Sequence, residues 1–413
     1  MSGPYAGIQV FDLSHVIAGP FCTRLMADMG ADVIRVEQPA GDMMRQIPYA
    51  FDGDLSSAYA QYNNGKRAVG LDLKSEAGRE LALRLVEWSD IVVQNFRPGV
   101  MASLGLSYED LCARSPDVIL CSLSTFGAVG PYAHLSGFGL VAEAYSGLMS
   151  LNGEDGGPPM HFGTALSDVN SGVHALAAIG AALHHRSQTG EGTHIDISAF
   201  DTLHAMIDQA HALGAFTHGE RAGGRYGRRH ATSVPSGVVQ TADGRYVSYG
   251  MSGDVYWAKM AAAMGRPELR DDPRFAGMDA RLANAPAAYD LIEAWAAEFA
   301  TADALVDHLL AHGLSAARVR TVAENLADPH LVARGSLAPV AFDGAGEVLM
   351  QTAPYRFSGL DVRPGAPAGH VGEQTADVLR DVLGLDDAAI KTLFKAGSVH
   401  GTGGEEKEAA QCS

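Results

Sequence analysis

The stretch "GIQVFDLSHVIAGPFCTRLMADMGADVIRVE", residues 7–37, decides the fold. Its first seven residues form a short apolar run of strand length. "PFCTRLMADMG" (20–30) then carries helical spacing and closes on Gly30, the residue type suited to the left-handed position after a helix. "ADVIRVE" (31–37) is a second run of strand character. Strand, helix and strand within some thirty residues make a βαβ unit, whose two strands must run parallel.

The pattern repeats outward from there. "RAVGLDL" (67–73), "DIVVQNF" (90–96) and "PDVILCSLSTF" (116–126) read as further strands, and "SEAGRELALRLVEWS" (75–89) as a helix capped by Ser75. "GEGTHIDISAFDTLHAMIDQAHAL" (190–213) reads as a strand running into a helix. Such alternation predicts an α/β protein with a Rossmann-like large domain, its mainly parallel sheet covered by helices. At 217–237 the composition shifts to Gly, Arg and Pro, as in a linker. "VVQTADGRYVSYG" then reads as two strands turning at Asp243-Gly244. Helical patterns follow at 254–264, 286–299 and 301–312, strands at 336–360 and a helix at 372–384. The expected organisation is a first segment of the large domain at 1–215, a linker at 216–240 and a smaller α/β domain at 241–330. A return segment at 331–400 completes the large domain, and 401–413 is a polar, disordered tail.

Composition narrows the function. A chain of 413 residues exceeds one ordinary core. A net charge of −18 argues against a nucleic-acid partner, since binding phosphate chains requires a basic surface. The four cysteines, Cys22, Cys112, Cys121 and Cys412, form no CxxC or CxxH pair, and the sixteen histidines show no metal spacing. There is no GxSxG elbow, Walker loop, signal peptide or long apolar span. A soluble cytoplasmic protein without a membrane partner is expected.

Among candidate reagents, Asp168 in "TALSDVNSGVHALAAIGAAL" (164–183) stands at the mouth of a small-residue helix. One reading makes it a helix-terminal acid, stabilised by ~0.3–1 kcal/mol in the dipole field. The other uses the same field to hold the carboxylate ionised for nucleophilic attack, with Ala165, Ser167, Gly172 and Ala175 leaving room. "SGFGLVAEAYSG" (136–147) fits GxGxxA loosely, but the turn-like "GPYAHLS" precedes it where a dinucleotide fingerprint needs a strand. "SHVIAGP" (14–20), "LDLK" (71–74) and "NFRPG" (95–99) follow strands, where open α/β sheets bind ligands. Together they describe a crevice for an extended anion.

These blocks resemble the class III coenzyme A transferases, the CaiB/BaiF family that includes formyl-CoA transferase. "VFDLSHVIAGPFCTRLMADMGADVIRVEQPAGD", "NNGKRAVGLDLKSEAGRE", "QNFRPGVMASLGL", "GTALSDVNSGVHA" and "GEGTHIDISAFD" follow the family's order, as do "RYGRRHATSVPSGVVQTADG" and "GLSAARVRTVAENLADPHLVARG". The resemblance implies a Rossmann-like large domain, a smaller domain and an interlocked-ring homodimer. It implies transfer of coenzyme A from an acyl-CoA donor to a free carboxylic acid, through an aspartyl-acyl anhydride and an aspartyl–CoA thioester on Asp168. Coenzyme A and acyl-CoA are then substrates, and no permanently bound cofactor is expected. Coenzyme contacts carry over to Ile17, Ala18, Gln38, Leu71, Lys74, Asn95, Phe96 and Arg97. Where relatives often carry a basic residue, this chain has Ser103, and Gln38 replaces an arginine found in some. Phosphate binding is therefore expected to fall on one or two of Arg35, Lys66, Arg67, Lys74 and Arg97. The glycine loop of some relatives is represented by "SYGMSGD" (248–254), with only Gly250 and Gly253. Relatives use several short acids, with succinyl-CoA a frequent donor. An acyl-CoA racemase of the same fold is the alternative; its proton-shuttling histidine would fall on Phe138, which cannot carry a proton. Arg225, Arg228 and Arg229 in "GRYGRRH" are candidates to bind an acceptor's second carboxylate, or surface contacts.

Overall fold

The computed structural model describes residues 3–47 and 49–401. Its opening segment forms strand β1 (Gln9–Asp12), helix α1 (Ala18–Asp28) and strand β2 (Asp32–Glu37). Helix α1 stops where its sequence implies: Met29 is the C-cap and Gly30 follows at φ +96°, a conformation that a Cβ makes costly. There follow β3 (Lys66–Leu71), α2 (Glu76–Trp88), β4 (Ile91–Gln94), β5 (Ile119–Ser124), α3 (Gly139–Ser146), α4 (Leu166–Thr189) and β6 (Thr193–Ser198). Ser75 caps α2, its Oγ accepting the Gly78 N–H at 3.0 Å. A last strand, β7 (Val399–His400), lies far along the chain.

The sheet order is β7-β3-β2-β1-β4-β5-β6. The first six strands pair in parallel, and β7 pairs antiparallel with β3 at the edge. At β3, Gly70 leaves room for His400: a Cβ there would lie 2.4 Å from the His400 carbonyl oxygen. Strand alternation divides the core between two faces. On one, Phe11, Ile34, Val69 and Val92 pack with Leu81 and Leu85 of α2. On the other, Val10, Val33 and Ile91 meet Leu25 and Met26 of α1 and Ala175 and Ile179 of α4. The chain runs outward from β1 to β3, then returns to β4 on the opposite side of β1. The crevice beyond the ends of β1 and β4 is thus the switch point where doubly wound sheets bind ligands.

Two compact units divide the chain. The first comprises the described residues of Met1–Ser146, Phe162–Met206 and Ala327–Ser413, and holds the large sheet. It also contains the hairpin of Leu337–Phe342 and Gly346–Gln351, in the region read as strands. The second comprises Gly147–His161 and Ile207–Leu326. Its core gathers Trp257, Phe275, Tyr289, Ile292 and Leu305 beside an antiparallel sheet of Ser236–Gln240, Tyr246–Gly250 and Ala316–Arg318. The Asp243-Gly244 turn is present, with Gly244 at φ +77° and the Arg245 N–H donating to Asp243 Oδ1 at 3.1 Å.

The unit borders differ from those read in the sequence. The helix expected to continue to 213 breaks into Ala199–His204 and Asp208–Phe216, and the border falls between Met206 and Ile207. The segment 216–240 belongs with the second unit, and its last five residues are a strand of that unit's sheet. Of the tail at 401–413, only Gly401 lies among the described residues. No helix among the described residues is long and apolar enough to cross a membrane.

Candidate functional site

A cleft of about 520 Å³ opens at the switch point. Its walls come from the loop after β1, the loop after β4, the segment leading into α3, and the first turns of α4. Asp168 lies on this cleft, within the first turn of α4. It is not a side-chain cap: Ala165 holds the N-cap position and makes no such bond. Burial has the largest effect on its ionisation. Burial pushes the Asp168 carboxyl up to about 6, backbone hydrogen bonding pulls it down, and the charge of Glu143 pushes it up again. Desolvation of the charge thus outweighs the backbone hydrogen bonding at the helix start. Above about pH 6 the group is an anion with no cationic partner among the described residues, the condition for a carboxylate nucleophile.

Space for a reacting group is written into the backbone around it. A Cβ on Gly139 would lie 2.9 Å from Asp168 Oδ2 and 3.1 Å from Ser167 Cβ. One on Gly137 would lie 2.7 Å from Thr125 Cγ2, and Thr125 Oγ1 donates to the Gly137 carbonyl at 2.7 Å. The "GFG" tripeptide therefore serves close approach to β5 and α4, and it opens a helix without a strand before it. Gly172 has the same role a turn deeper. A side chain there would meet the Ala18 carbonyl at 2.7 Å, so its absence lets α4 pack on α1.

Across the cleft, Asn95 and His15 join the two strand ends. His15 N–H donates to Asn95 Oδ1 at 2.8 Å, and Asn95 Nδ2 donates back to the His15 carbonyl at 2.7 Å. The His15 ring stacks on Phe96 with centroids 5.5 Å apart. Burial lowers the His15 pKa, leaving the imidazole neutral at neutral pH. Arg97 is exposed on the same wall and has no carboxylate partner among the described residues.

Five residues singled out from the sequence meet here: Asp168, Ala18, Asn95, Phe96 and Arg97 line one cleft. Four do not. Leu71 is wholly buried in the sheet core, so its side chain cannot reach a ligand. Ile17 packs against Met44, Leu55 and Tyr59. Gln38 and Lys74 are exposed away from the cleft lining. The shortlist of phosphate-binding cations also contracts. Arg35 is buried against Asp42, with Asp12 and Glu37 each at 3.7 Å. Lys66 donates to Asp12 Oδ2 at 3.0 Å, Pro20 O at 2.9 Å and Asn63 Oδ1 at 2.9 Å. Burial pulls its pKa down to about 8. Arg67 pairs with Asp32 at 2.6 Å. Arg35 and Lys66 are thus committed inside the core and Arg67 to a surface pair, and of the five cations Arg97 is the one that lines the cleft.

Thr125, Gly137, Gly139, Glu143, His15 and Val16 do not stand out from the sequence as site residues, although the "SHVIAGP" and "SGFG" blocks do. The missed signal is the run of small residues in "SGFG", whose purpose shows only once Asp168 lies against it. Phe138, onto which the family resemblance would put a racemase's histidine, is 74 % exposed at the cleft.

In the second unit, Arg228, Arg229 and His230 line a separate cavity of about 660 Å³, with Ser248, Gly250 and Ser252. Arg229 lies 3.6 Å from Asp290. Arg225 is committed elsewhere, donating to Gly157 O at 2.9 Å and Ser150 O at 3.3 Å. Gly250 ends a strand and Gly253 caps the helix Asp254–Ala263.

The chain is similar to known proteins over most of its length. The profile of CoA-transferase family III matches residues 5–375. A succinyl-CoA--D-citramalate CoA-transferase of Chloroflexus aurantiacus is 35% identical over 392 residues, 94% of this chain and 96% of that protein. An acetyl-CoA:oxalate CoA-transferase of Acetobacter aceti is 37% identical, over 88% of this chain and 92% of that one. Among solved structures, a CaiB/BaiF family protein from Brucella suis superposes with a TM-score of 0.81 at 32% identity, covering 92% of this chain and 100% of its own.

Proposed function

Since the chain belongs to CoA-transferase family III and is a CoA-transferase of that class, we propose that Asp168 is its nucleophile and that succinyl-CoA is its donor. The single observation that carries the reading is Asp168 itself: an acid with no cationic partner among the described residues, part-buried on a cleft at the switch point, with Gly139 against its carboxylate. The donor follows from the relatives, several of which are named for succinyl-CoA.

The carboxylate attacks the donor thioester carbonyl. A C–O bond forms, the C–S bond breaks, and coenzyme A leaves as thiolate. The thiolate then attacks the aspartyl carbonyl of the mixed anhydride, releasing succinate and leaving an aspartyl–CoA thioester. The acceptor carboxylate attacks that thioester and expels the thiolate again. Attack of the thiolate on the acceptor acyl carbonyl gives the new acyl-CoA and restores Asp168. Each step exchanges one acyl bond for another, so what the protein must supply is proximity and protection from water. In this reading Ala18, Asn95, Phe96 and Arg97 hold the coenzyme. Neutral His15 and the Phe96 ring offer a flat apolar wall, and Arg97 takes a phosphate. The assembly is an interlinked homodimer in the cytoplasm, which light scattering of the purified protein and cell fractionation test.

The deciding experiment adds hydroxylamine and succinyl-CoA, followed by mass spectrometry of the peptide containing Asp168. A hydroxamate on Asp168, and loss of transfer in Asp168→Ala, are expected. An unmodified peptide with undiminished turnover in Asp168→Ala would refute the nucleophile. Incubation in deuterated water addresses the racemase alternative: α-deuterium uptake without acyl exchange would sink the transferase chemistry proposed here.

A further inference from the structure

We propose that Asp42 is a positioning residue for coenzyme binding: it holds the loop after β1 in the strained shape that forms one wall of the cleft. The inference rests on the reading that this cleft takes acyl-CoA.

Three successive backbone N–H groups of the loop are each claimed by a side chain from a different place. Ser14 donates to Asp12 Oδ1 at 2.9 Å, His15 to Asn95 Oδ1 at 2.8 Å, and Val16 to Asp42 Oδ2 at 2.9 Å. The third claim differs in kind, because Val16 has φ +66°. A β-branched residue in the left-handed region is a backbone outlier, which persists only where its surroundings over-determine it. Among the described residues the one other non-glycine at positive φ is His218. His15, Val16 and Ala18 all line the cleft, so the conformation of this loop is the conformation of its wall.

Asp42 is built to resist displacement. Its own N–H donates to Glu37 Oε2 at 2.9 Å, and its Oδ1 accepts from Met44 N at 2.8 Å. Its Oδ2 takes Arg35 Nη2 together with the Val16 N–H. Arg35 is itself 1% exposed and set among three carboxylates. Glu37 is clamped in turn by Arg45 through both carboxylate oxygens, at 2.8 and 2.6 Å. No member of this group lines the cleft except the loop it grips. The group therefore reaches the substrate through residues 14–17, by the shape it gives them and by its charge on His15.

The test compares wild type, Asp42→Ala, Asp42→Asn, Val16→Gly and the double variant Val16→Gly/Asp42→Ala in steady-state transfer. Without its anchor Val16 relaxes to negative φ, and KM for acyl-CoA rises about tenfold or more in Asp42→Ala. KM for the acceptor acid changes far less. Asp42→Asn keeps an acceptor oxygen of the same shape and falls between the two. Glycine adopts φ +66° without strain, so Val16→Gly in the Asp42→Ala background brings KM for acyl-CoA back to within about threefold of the matching Val16→Gly single variant. Hydrogen exchange of the peptide spanning residues 13–24 reads the same loosening without catalysis, and rises in Asp42→Asn if Asp42→Ala does not fold. The inference is overturned if exchange of that peptide is unchanged in Asp42→Asn, or if the folded Asp42 variants keep KM for acyl-CoA within about twofold of wild type. It is equally overturned if glycine at position 16 rescues nothing. Hydroxamate trapping at Asp168 in the wild type separates this failure from failure of the transferase reading, since the trap does not depend on Asp42.

Discussion

Asp168→Asn is expected to abolish transfer and, at neutral pH, to make the protein more stable. The carboxyl is raised from 3.8 to about 6, first by burial and then by the neighbouring charge of Glu143, against the pull of backbone hydrogen bonding. An acid whose folded pKa exceeds its unfolded one opposes folding once it is ionised. Between about pH 4 and pH 6 the folded state keeps a proton that the unfolded chain has lost, so stability falls as pH rises through that window. Above about pH 6 the full penalty is present, and below about pH 4 it is gone. At ~1.4 kcal/mol per pH unit, the gap from 3.8 to about 6 amounts to about 3 kcal/mol. Solvent in the open cleft screens some of it, so a gain of about 1–3 kcal/mol is expected in the variant. Asparagine keeps the shape and removes the charge. Urea denaturation of wild type and variant at about pH 7.5 and again at about pH 5 measures the difference, which shrinks by roughly half at the lower pH. A variant no more stable than wild type at the higher pH, or a gain that does not shrink at the lower one, would refute the reasoning.

Four further outcomes follow from the same geometry. Transfer measured as kcat/KM should fall as pH drops below about 6, as Asp168 takes up its proton, and Glu143→Gln should move that limb to lower pH by removing a like charge. Gly139→Ala should lower kcat by about 10²-fold with the fold retained, because its Cβ displaces the Asp168 carboxylate; single-turnover kinetics and circular dichroism report the two separately. Lys66→Met should cost about 3–5 kcal/mol of stability, since Asp12 then remains buried without its ammonium partner; denaturation midpoints measure it. Arg97→Ala should raise KM for acyl-CoA and flatten its dependence on salt, while KM for the acceptor acid stays put.

The parallel strands were legible because each is a short apolar run between helical periods. Val10 and Phe11, or Val33 and Ile34, face opposite layers, and both layers are covered. Helix ends were legible where one residue type decides them, as at Ser75 and Gly30. Much less legible was β7, since two residues carry no period and acquire strand character only by lying on β3. Within the site, Asp168 and the "NFRPG" block announced themselves by residue type and place. Leu71, Arg35 and Lys66 show what sequence withholds: it reveals charge or apolarity but not direction, and these side chains turn into the core. The raised pKa of Asp168 was illegible for a related reason. The helix dipole can be read from one segment, whereas desolvation depends on what α3 and the loops bring over it.

The pairing of β7 with β3 also sets a clock on biosynthesis. Leu71 meets Val399, so more than three hundred residues must be translated before the edge of the large sheet receives its last strand. At ribosomal rates of ~5–20 residues per second, β3 waits roughly 15–65 s with its outer hydrogen-bonding groups unpaired. The second unit, Ile207–Leu326 with its earlier segment, leaves the ribosome whole within that interval. A nascent chain stalled once that unit has emerged therefore carries one finished unit and an unsealed strand edge. That edge is a template for pairing with another such chain, which makes crowded translation of this message a setting in which a chaperone has something specific to cover.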